Sequence, residues 1–219
     1  MIIRAAPRAL VTSAIAWCPE IVKTKGIIAG GFIRAYYAGE KPSDMDLYFE
    51  EEAALKSTQE MLLKNGWDKA AETDRAITLT KNGRAVQLIG FLYGLLYDIL
   101  EEFDFTICVA ALKLHPPEDS GVEEEEKESE GVSGNVWFHD DFFEHLAGRI
   151  LVYTGSPMPL SSLNRAFKFV KRGYHICDEN IIKLSEDIAA KVDFDDAEDV
   201  QDHIAGMDPD GARRIRVID

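Results

Sequence analysis

Apolar residues along this chain recur with two periods, and the period changes from segment to segment. In ALVTSAIAW, near the start, they fall at helical spacing and predict an amphipathic helix. GIIA, ending at Ala29, reads as a short buried strand; Gly30 and Gly31 follow it, and FIRAYYA opens a helix. After the breaker Pro42-Ser43, DMDLYFE alternates acidic and apolar residues, the pattern of a strand with two unlike faces. AALKSTQEMLLKNG returns to helical spacing and stops at Asn65-Gly66. AITLTKNGRAVQLIGF carries the sharpest local signal, two strand-like runs flanking Asn82-Gly83, a pair favoured in two-residue hairpin turns.

Further on, LLYDILEEF reads as helix, FTICVAALKL as strand, and VWFHDDFFEHLAGRILVY as strand, helix and strand. From Ser161 the pattern is helical through SLNRAFKFVKRG, ENIIKLSEDIAAKV and a weaker DAEDVQDHIAG. The expected division is an α/β head over residues 1–154 and a helical segment with an acidic tail over 155–219. The sequence has no internal repeat.

Composition sharpens this picture at three points. With 219 residues, 46% hydrophobic and 29% charged, the chain can bury a proper core, which excludes wholesale disorder. No apolar run reaches the roughly 18–20 residues of a membrane helix, so no membrane is expected. The net charge of −15 is unevenly spread: residues 118–130 hold eight acids and one lysine, and residues 193–219 nine acids and three arginines. Elsewhere the chain is close to neutral. Residues 117–134, poor in apolar side chains, are expected to form a disordered surface loop between two strands. A phosphate backbone would meet no extended basic face, so duplex DNA is not an expected partner. Cys18, Cys108 and Cys177 are odd in number and far apart, which argues against a disulfide framework and for a reducing, cytoplasmic compartment. Arg4 and Arg8 before ALVTSAIAW imitate a leader, but the run is short and diluted by Thr12 and Ser13, and a helix is the expectation.

Candidate chemistry concentrates after the first strand. Two glycines let backbone approach a triphosphate, and the helix start that follows offers unpaired N–H groups and a positive dipole end. Arg34, one turn in, is placed for a charge-assisted phosphate contact. Asp44 and Asp46, two apart on a strand, project from one face and form a candidate Mg²⁺ site for phosphoryl or nucleotidyl transfer. The competing reading is a capped surface turn. With 39 acids in the chain such pairs arise by chance, as at Asp193 and Asp195. His139 beside Asp140 and Asp141 is better read as a helix N-cap cluster than as a metal ligand. Lys168, Lys171 and Arg172, near Arg165, either guide a nucleic-acid end or a triphosphate or form a solvated helix face.

IIAGGFIRAYYAGEKPSDMDLYF resembles the GGxVRDxLLxxxxxDxD signature of the polymerase-β-type nucleotidyltransferase superfamily, and within it the class II CCA-adding tRNA nucleotidyltransferases and bacterial poly(A) polymerases. EEFDFTICVAAL is similar to that family's RRDFTINALA motif, retaining Asp104, Phe105, Thr106 and Ile107. SSLNRAFKFVKRGYHI is similar to its neck-helix pattern, retaining Arg165, Ala166, Phe169 and Gly173. The resemblance covers roughly residues 26–185. It implies an α+β fold: a nucleotidyltransferase-type head with a small mixed sheet flanked by helices, then a short helical neck. It also implies a Mg²⁺-dependent RNA-processing type of chemistry, transfer of a nucleoside monophosphate from a nucleoside triphosphate such as ATP to a hydroxyl of an RNA 3′ end, a protein or a small molecule. Asp44 and Asp46 would be catalytic metal ligands and Gly30, Gly31 and Arg34 triphosphate contacts; Asp104 is a candidate third catalytic acid, although in the relatives that Asp is better explained as structural or as a ribose contact, and Arg165 and Lys168 are candidate nucleotide contacts.

The departures from the family pattern carry information too. Its arginine pair before DFT is Glu102 and Phe103 here, and the expected third carboxylate falls near Gln87, which is neutral. Its base-reading side chains fall on Met158, Pro159 and Ser162, which argues against templated CCA addition. These losses keep a second expectation open, a degenerate head that binds a nucleotide or a protein without catalysis.

Overall fold

The computed structural model describes residues 1–116 and 131–205, which form two compact units. Most of the expected acidic loop lies outside the described residues.

The first unit holds residues 1–101 and 109–140. In chain order it contains β1 (Ile2–Ala5), α1 (Arg8–Trp17), β2 (Ile27–Ala29), α2 (Gly31–Ala38), β3 (Met45–Phe49) and α3 (Glu52–Lys64). β4 (Asp68–Glu72), β5 (Ala76–Lys81), β6 (Arg84–Tyr93), α4 (Leu96–Glu101), β7 (Ala110–His115) and β8 (Ser133–Phe138) follow. The strands build one eight-stranded sheet in the order β1-β8-β7-β2-β3-β6-β5-β4. β3 and β6 pair in parallel while the other neighbours are antiparallel, so the sheet is mixed and the class is α+β.

Apolar alternation explains the middle of this sheet. Ile28, Leu47 and Leu88 sit opposite one another on adjacent strands and are completely buried. α2 packs on β2, β3 and β7, and α3 on β3 and β6. The hairpin forms as the sequence predicts: Lys81 pairs with Arg84, and Asn82 and Gly83 both take positive φ, 52° and 73°. Two left-handed residues make the type I′ geometry, whose twist matches that of the flanking strands.

Two edge strands make the sheet larger than the small one expected. β1 and β4 are mostly exposed and carry little alternation, and each is held by backbone pairing to β8 or β5. Residues 133–134, expected in the acidic loop, belong to β8. The strand expected over FTICVAALKL begins only at Ala110.

The second unit holds residues 102–108 and the chain from Asp141. It contains α5 (Phe142–Gly148), β9 (Ile150–Leu151), α6 (Pro159–Lys171), β10 (His175–Ile176), α7 (Asp178–Lys191) and α8 (Ala197–Ala205). Within this unit α5 packs on β9, β9 pairs with β10, and β10 packs on α6. Phe105, Tyr153 and Phe169 form its aromatic centre, with edge-on ring contacts of 5.9 and 6.1 Å from Phe105. The Tyr153 hydroxyl donates to Asp187 at 2.7 Å, and Lys191 lies 3.1 Å from the same carboxylate. No helix among the described residues is long and apolar enough to cross a membrane.

Candidate active site

Gly30 is the corner of the site. It has φ 73° and ψ −121°, a backbone state open essentially to glycine alone. Its N–H donates to the Ala110 carbonyl at 2.8 Å, so this amide belongs to the sheet and is not offered to a ligand. Gly31, the first residue of α2, is different: a Cβ there would meet no atom within 4 Å. Neither packing nor φ demands a glycine at 31. What glycine adds at that position is open room beside the start of a helix, where unpaired N–H groups favour an anion.

Strand register then sets the acids. β3 runs antiparallel to β2, which places Ala29 opposite Asp46, one residue from the glycine corner. Asp44 lies two positions earlier, just before β3 begins at Met45. Asp44 and Asp46 are both half-buried, so they reach solvent without being loose. Ser43 Oγ donates to Asp44 Oδ1 at 2.8 Å. On the other side Asp46 is opposite Gln87 of β6, and Gln87 is opposite Thr78 of β5. The row Ala29–Asp46–Gln87–Thr78 therefore carries one carboxylate and one neutral amide side by side. Gln87 is 5% exposed.

Two carboxylates two residues apart suit a hard divalent cation, since Mg²⁺ is commonly held by one or two carboxylates, water and substrate phosphates. Among the described residues no three His, Cys, Asp or Glu side chains converge as a metal cage.

Of the other sequence-predicted residues, Arg34 lies one turn into α2, and Asp104, Arg165 and Lys168 belong to the second unit. Arg34 is 5% exposed, and its Nη1 donates to Glu40 Oε2 at 2.8 Å, a buried clamp between α2 and the turn behind it. Asp104, in the second unit, is 1% exposed and lies 3.0 Å from Arg165 Nη1. Arg165 Nη2 also approaches Cys108 Sγ at 3.4 Å. The backbone of this segment is fixed as well, with Thr154 N donating to the Asp104 carbonyl at 2.9 Å. Lys168 is exposed on α6. Met158 precedes α6, Pro159 opens it, and Ser162 is buried inside it.

His145, not singled out from sequence, makes a 2.8 Å hydrogen bond through Nδ1 to Thr106 Oγ1 and so ties α5 to the DFT segment. Nothing in the periodicity of DDFFEHLAGRIL distinguishes it. The N-cap cluster expected around His139 is realised only in position: Asp141 precedes α5, but no side-chain cap hydrogen bond forms. A cleft of about 250 Å³, lined in part by Lys23, Lys25, Glu51, Ser57 and Thr58, lies at the opposite end of β2 from the glycine corner.

Comparison with known proteins agrees with this geometry at the level of fold and adds a family. The sequence model described as "Gabija anti-defense 2 family protein" matches residues 10–149. A protein named Gabija anti-defense 2 from Bacillus phage SPbetaL7 is 24% identical over 187 residues, covering 84% of this chain and 42% of that protein. Among solved structures, a CCA-adding enzyme in complex with ATP superposes with a TM-score of 0.61 at 17% identity, covering 87% of this chain and 47% of that one. The Thermotoga maritima CCA-adding enzyme complexed with tRNA gives 0.57 at 17% identity, covering 87% and 46%. The chain thus has a nucleotidyltransferase-type fold and spans about half the length of the proteins it matches.

Proposed function

The chain belongs to the Gabija anti-defense 2 family, and from that premise we propose that it counters the Gabija defence as a nucleotidyltransferase. In this reading it moves a nucleoside monophosphate from a triphosphate to a hydroxyl acceptor, releasing pyrophosphate. The observation that carries the reading is the register of Asp46 against Ala29, one residue from the glycine corner, with Asp44 just before the same strand. Asp44 and Asp46 would hold Mg²⁺, which supplies charge neutralisation to the triphosphate and the attacking oxygen. The start of α2 would receive phosphate oxygens. Arg34 acts here by holding α2 against Glu40, and its contribution to phosphate binding is through that helix. Asp104 and Arg165 position the DFT segment. Lys168, exposed on α6 in the second unit, would be a contact for an incoming acceptor.

The acceptor class we favour is a protein or a small molecule over a long nucleic acid, because the chain away from its two acidic stretches is near neutral. The testing experiment incubates the protein with each labelled nucleoside triphosphate, Mg²⁺, and either Gabija proteins or pooled RNA. Label on the Gabija proteins that disappears with Asp46→Asn supports the proposal; label on RNA alone redirects it to an RNA 3′ end; Asp46-independent label or none defeats it.

A second reading, binding without turnover, is favoured by one observation: the neighbour of Asp46 is an amide where a third carboxylate is expected. Nucleotide binding without any transferred label would select it.

A further inference from the structure

The cleft at the far end of β2 has the first turns of α3 for a wall and the residues leading into β2 for a rim. Thr24 fixes that rim: its hydroxyl donates to the Ile21 carbonyl at 2.9 Å and accepts from Gly26 N at 3.1 Å. Lys25, exposed beside it, lines the cleft and forms no ion pair among the described residues.

α3 begins uncapped. Glu51, its N-cap residue, makes no side-chain cap hydrogen bond. Ala54 N donates back to the Glu51 carbonyl at 3.1 Å, and among the described residues the N–H groups of Glu52 and Ala53 find no acceptor. That much is an ordinary helix start with its positive dipole end. Thr58, one turn further in, is not ordinary. It lines the cleft, is 3% exposed, and its hydroxyl has no hydrogen-bond partner among the described residues. A buried hydroxyl is normally bonded, in a helix most simply to the carbonyl four residues back. Ser57, exposed on the same wall, supplies a second hydroxyl.

The chemistry of these groups selects the ligand. Glu50 lies 3.0 Å from Lys113 and Glu52 2.7 Å from Lys56, which leaves Glu51 as the acid of the cleft, balanced by Lys25. An N–H and an ammonium only donate, and the two hydroxyls can do so, so the set suits an oxyanion. Four donors exceed what the two oxygens of a carboxylate use readily and match the three terminal oxygens of a phosphate. The cleft, about 250 Å³, is smaller than the roughly 300 Å³ at which drug-sized pockets begin, so the molecule is small.

We propose that this cleft binds a phosphate group, free or on a small molecule, through Ala53 N–H, the Thr58 and Ser57 hydroxyls and Lys25. The site lies at the other end of β2 from Asp46 and does not depend on the activity proposed above.

The test titrates inorganic phosphate into ¹⁵N-labelled protein, without divalent metal and at constant ionic strength, and follows the Ala53 and Gly31 amides by NMR. Glycerol 3-phosphate and acetate are titrated in parallel. The Ala53 amide should shift saturably with phosphate. Thr58→Val, which keeps the shape and loses the hydroxyl, should weaken that binding about tenfold, the scale of one hydrogen bond to a charged group. Lys25→Gln should weaken it as well, and Glu51→Gln should tighten it. Glycerol 3-phosphate binding at least as tightly as inorganic phosphate supports a phosphate-ester site; binding of inorganic phosphate alone supports a site for the free ion. A non-saturating Ala53 shift, acetate matching phosphate, or Thr58→Val binding like wild type would overturn the proposal. A shift at Gly31 with none at Ala53 would also overturn it, while leaving the nucleotide reading intact. If Thr58→Val does not fold, Lys25→Gln, a surface change, decides: unchanged phosphate binding in that variant would overturn the site.

Discussion

Asp46 and Asp104 both belong to segments that resemble one family's signature, yet the two units treat them in opposite ways. Asp46 is half-buried on a strand, flanked by an alanine and an amide, next to a glycine corner with open room. Asp104 is 1% exposed, 3.0 Å from an arginine, in a segment whose backbone is also hydrogen-bonded. Under the proposed function Asp46 would serve a ligand and Asp104 would hold its own segment to Arg165, a division proposed from burial and partner and not from motif membership.

The largest way to break this contrast is to remove Asp104. Asp104→Ala leaves the Arg165 guanidinium without its buried partner and should cost about 3 kcal/mol, on the scale of breaking a buried pair from one side. A chain of this length should then melt roughly 10 °C lower. Asp46→Asn should change the melting temperature little in the absence of ligand. If the two variants melt alike, the assignment of architecture to one acid and chemistry to the other fails.

The glycine corner allows a finer comparison. Gly30→Ala forces a side chain into φ 73° and should lose about 1–3 kcal/mol. Gly31→Ala enters open space and should stay within about 0.5 kcal/mol of wild type by denaturant unfolding. It should nonetheless weaken nucleotide binding, because the added methyl occupies the room the phosphates need. Unimpaired nucleotide binding by Gly31→Ala would mean that the open corner is not where the phosphates go.

Much of this was legible in the sequence where a pattern is enforced locally. The Asn82-Gly83 hairpin needs φ above zero at two consecutive residues, and the chain supplies residues that tolerate it. The apolar residues of DMDLYFE reported a buried strand, and within β3 Asp46 is the one residue that is not fully buried. The edge strands were not legible, because β1 and β4 are formed by a neighbour's backbone and need no apolar code of their own. Arg34 shows the same limit at the site. Its spacing from Gly30 is right for a phosphate, but its partner Glu40 is set by how the turn after α2 folds back, which spacing does not encode. The Thr106–His145 bond joins residues 39 positions apart and has no local trace.

Smaller effects distinguish the second unit. Burial pushes the Asp187 carboxyl up, but the Tyr153 hydroxyl and the Lys191 ammonium outweigh it and hold the group below its ordinary value. A lowered folded value means that this contribution is present above the ordinary carboxyl range and is lost as pH falls below roughly 4. Melting of wild type should therefore drop faster than that of Asp187→Asn across that acid limb, with the two curves parallel above it.

The thiols should show the smallest effect of all. Burial, then the Glu20 charge, pushes Cys18 up to about 12, whereas hydrogen bonds from Asn180 lower exposed Cys177. An alkylating reagent at mildly alkaline pH should modify Cys177 first and reach Cys18 only on unfolding. Early labelling of Cys18 would show that the first unit opens more readily than its packing indicates.

The most direct measurement is a ligand-induced melting shift, taken with Mg²⁺ and a non-hydrolysable triphosphate on wild type and on Asp46→Asn. The account predicts a rise for wild type equivalent to about 2.7 kcal/mol at a hundredfold excess over Kd, and no rise for the variant. Equal shifts in both proteins, or none in wild type, would contradict it.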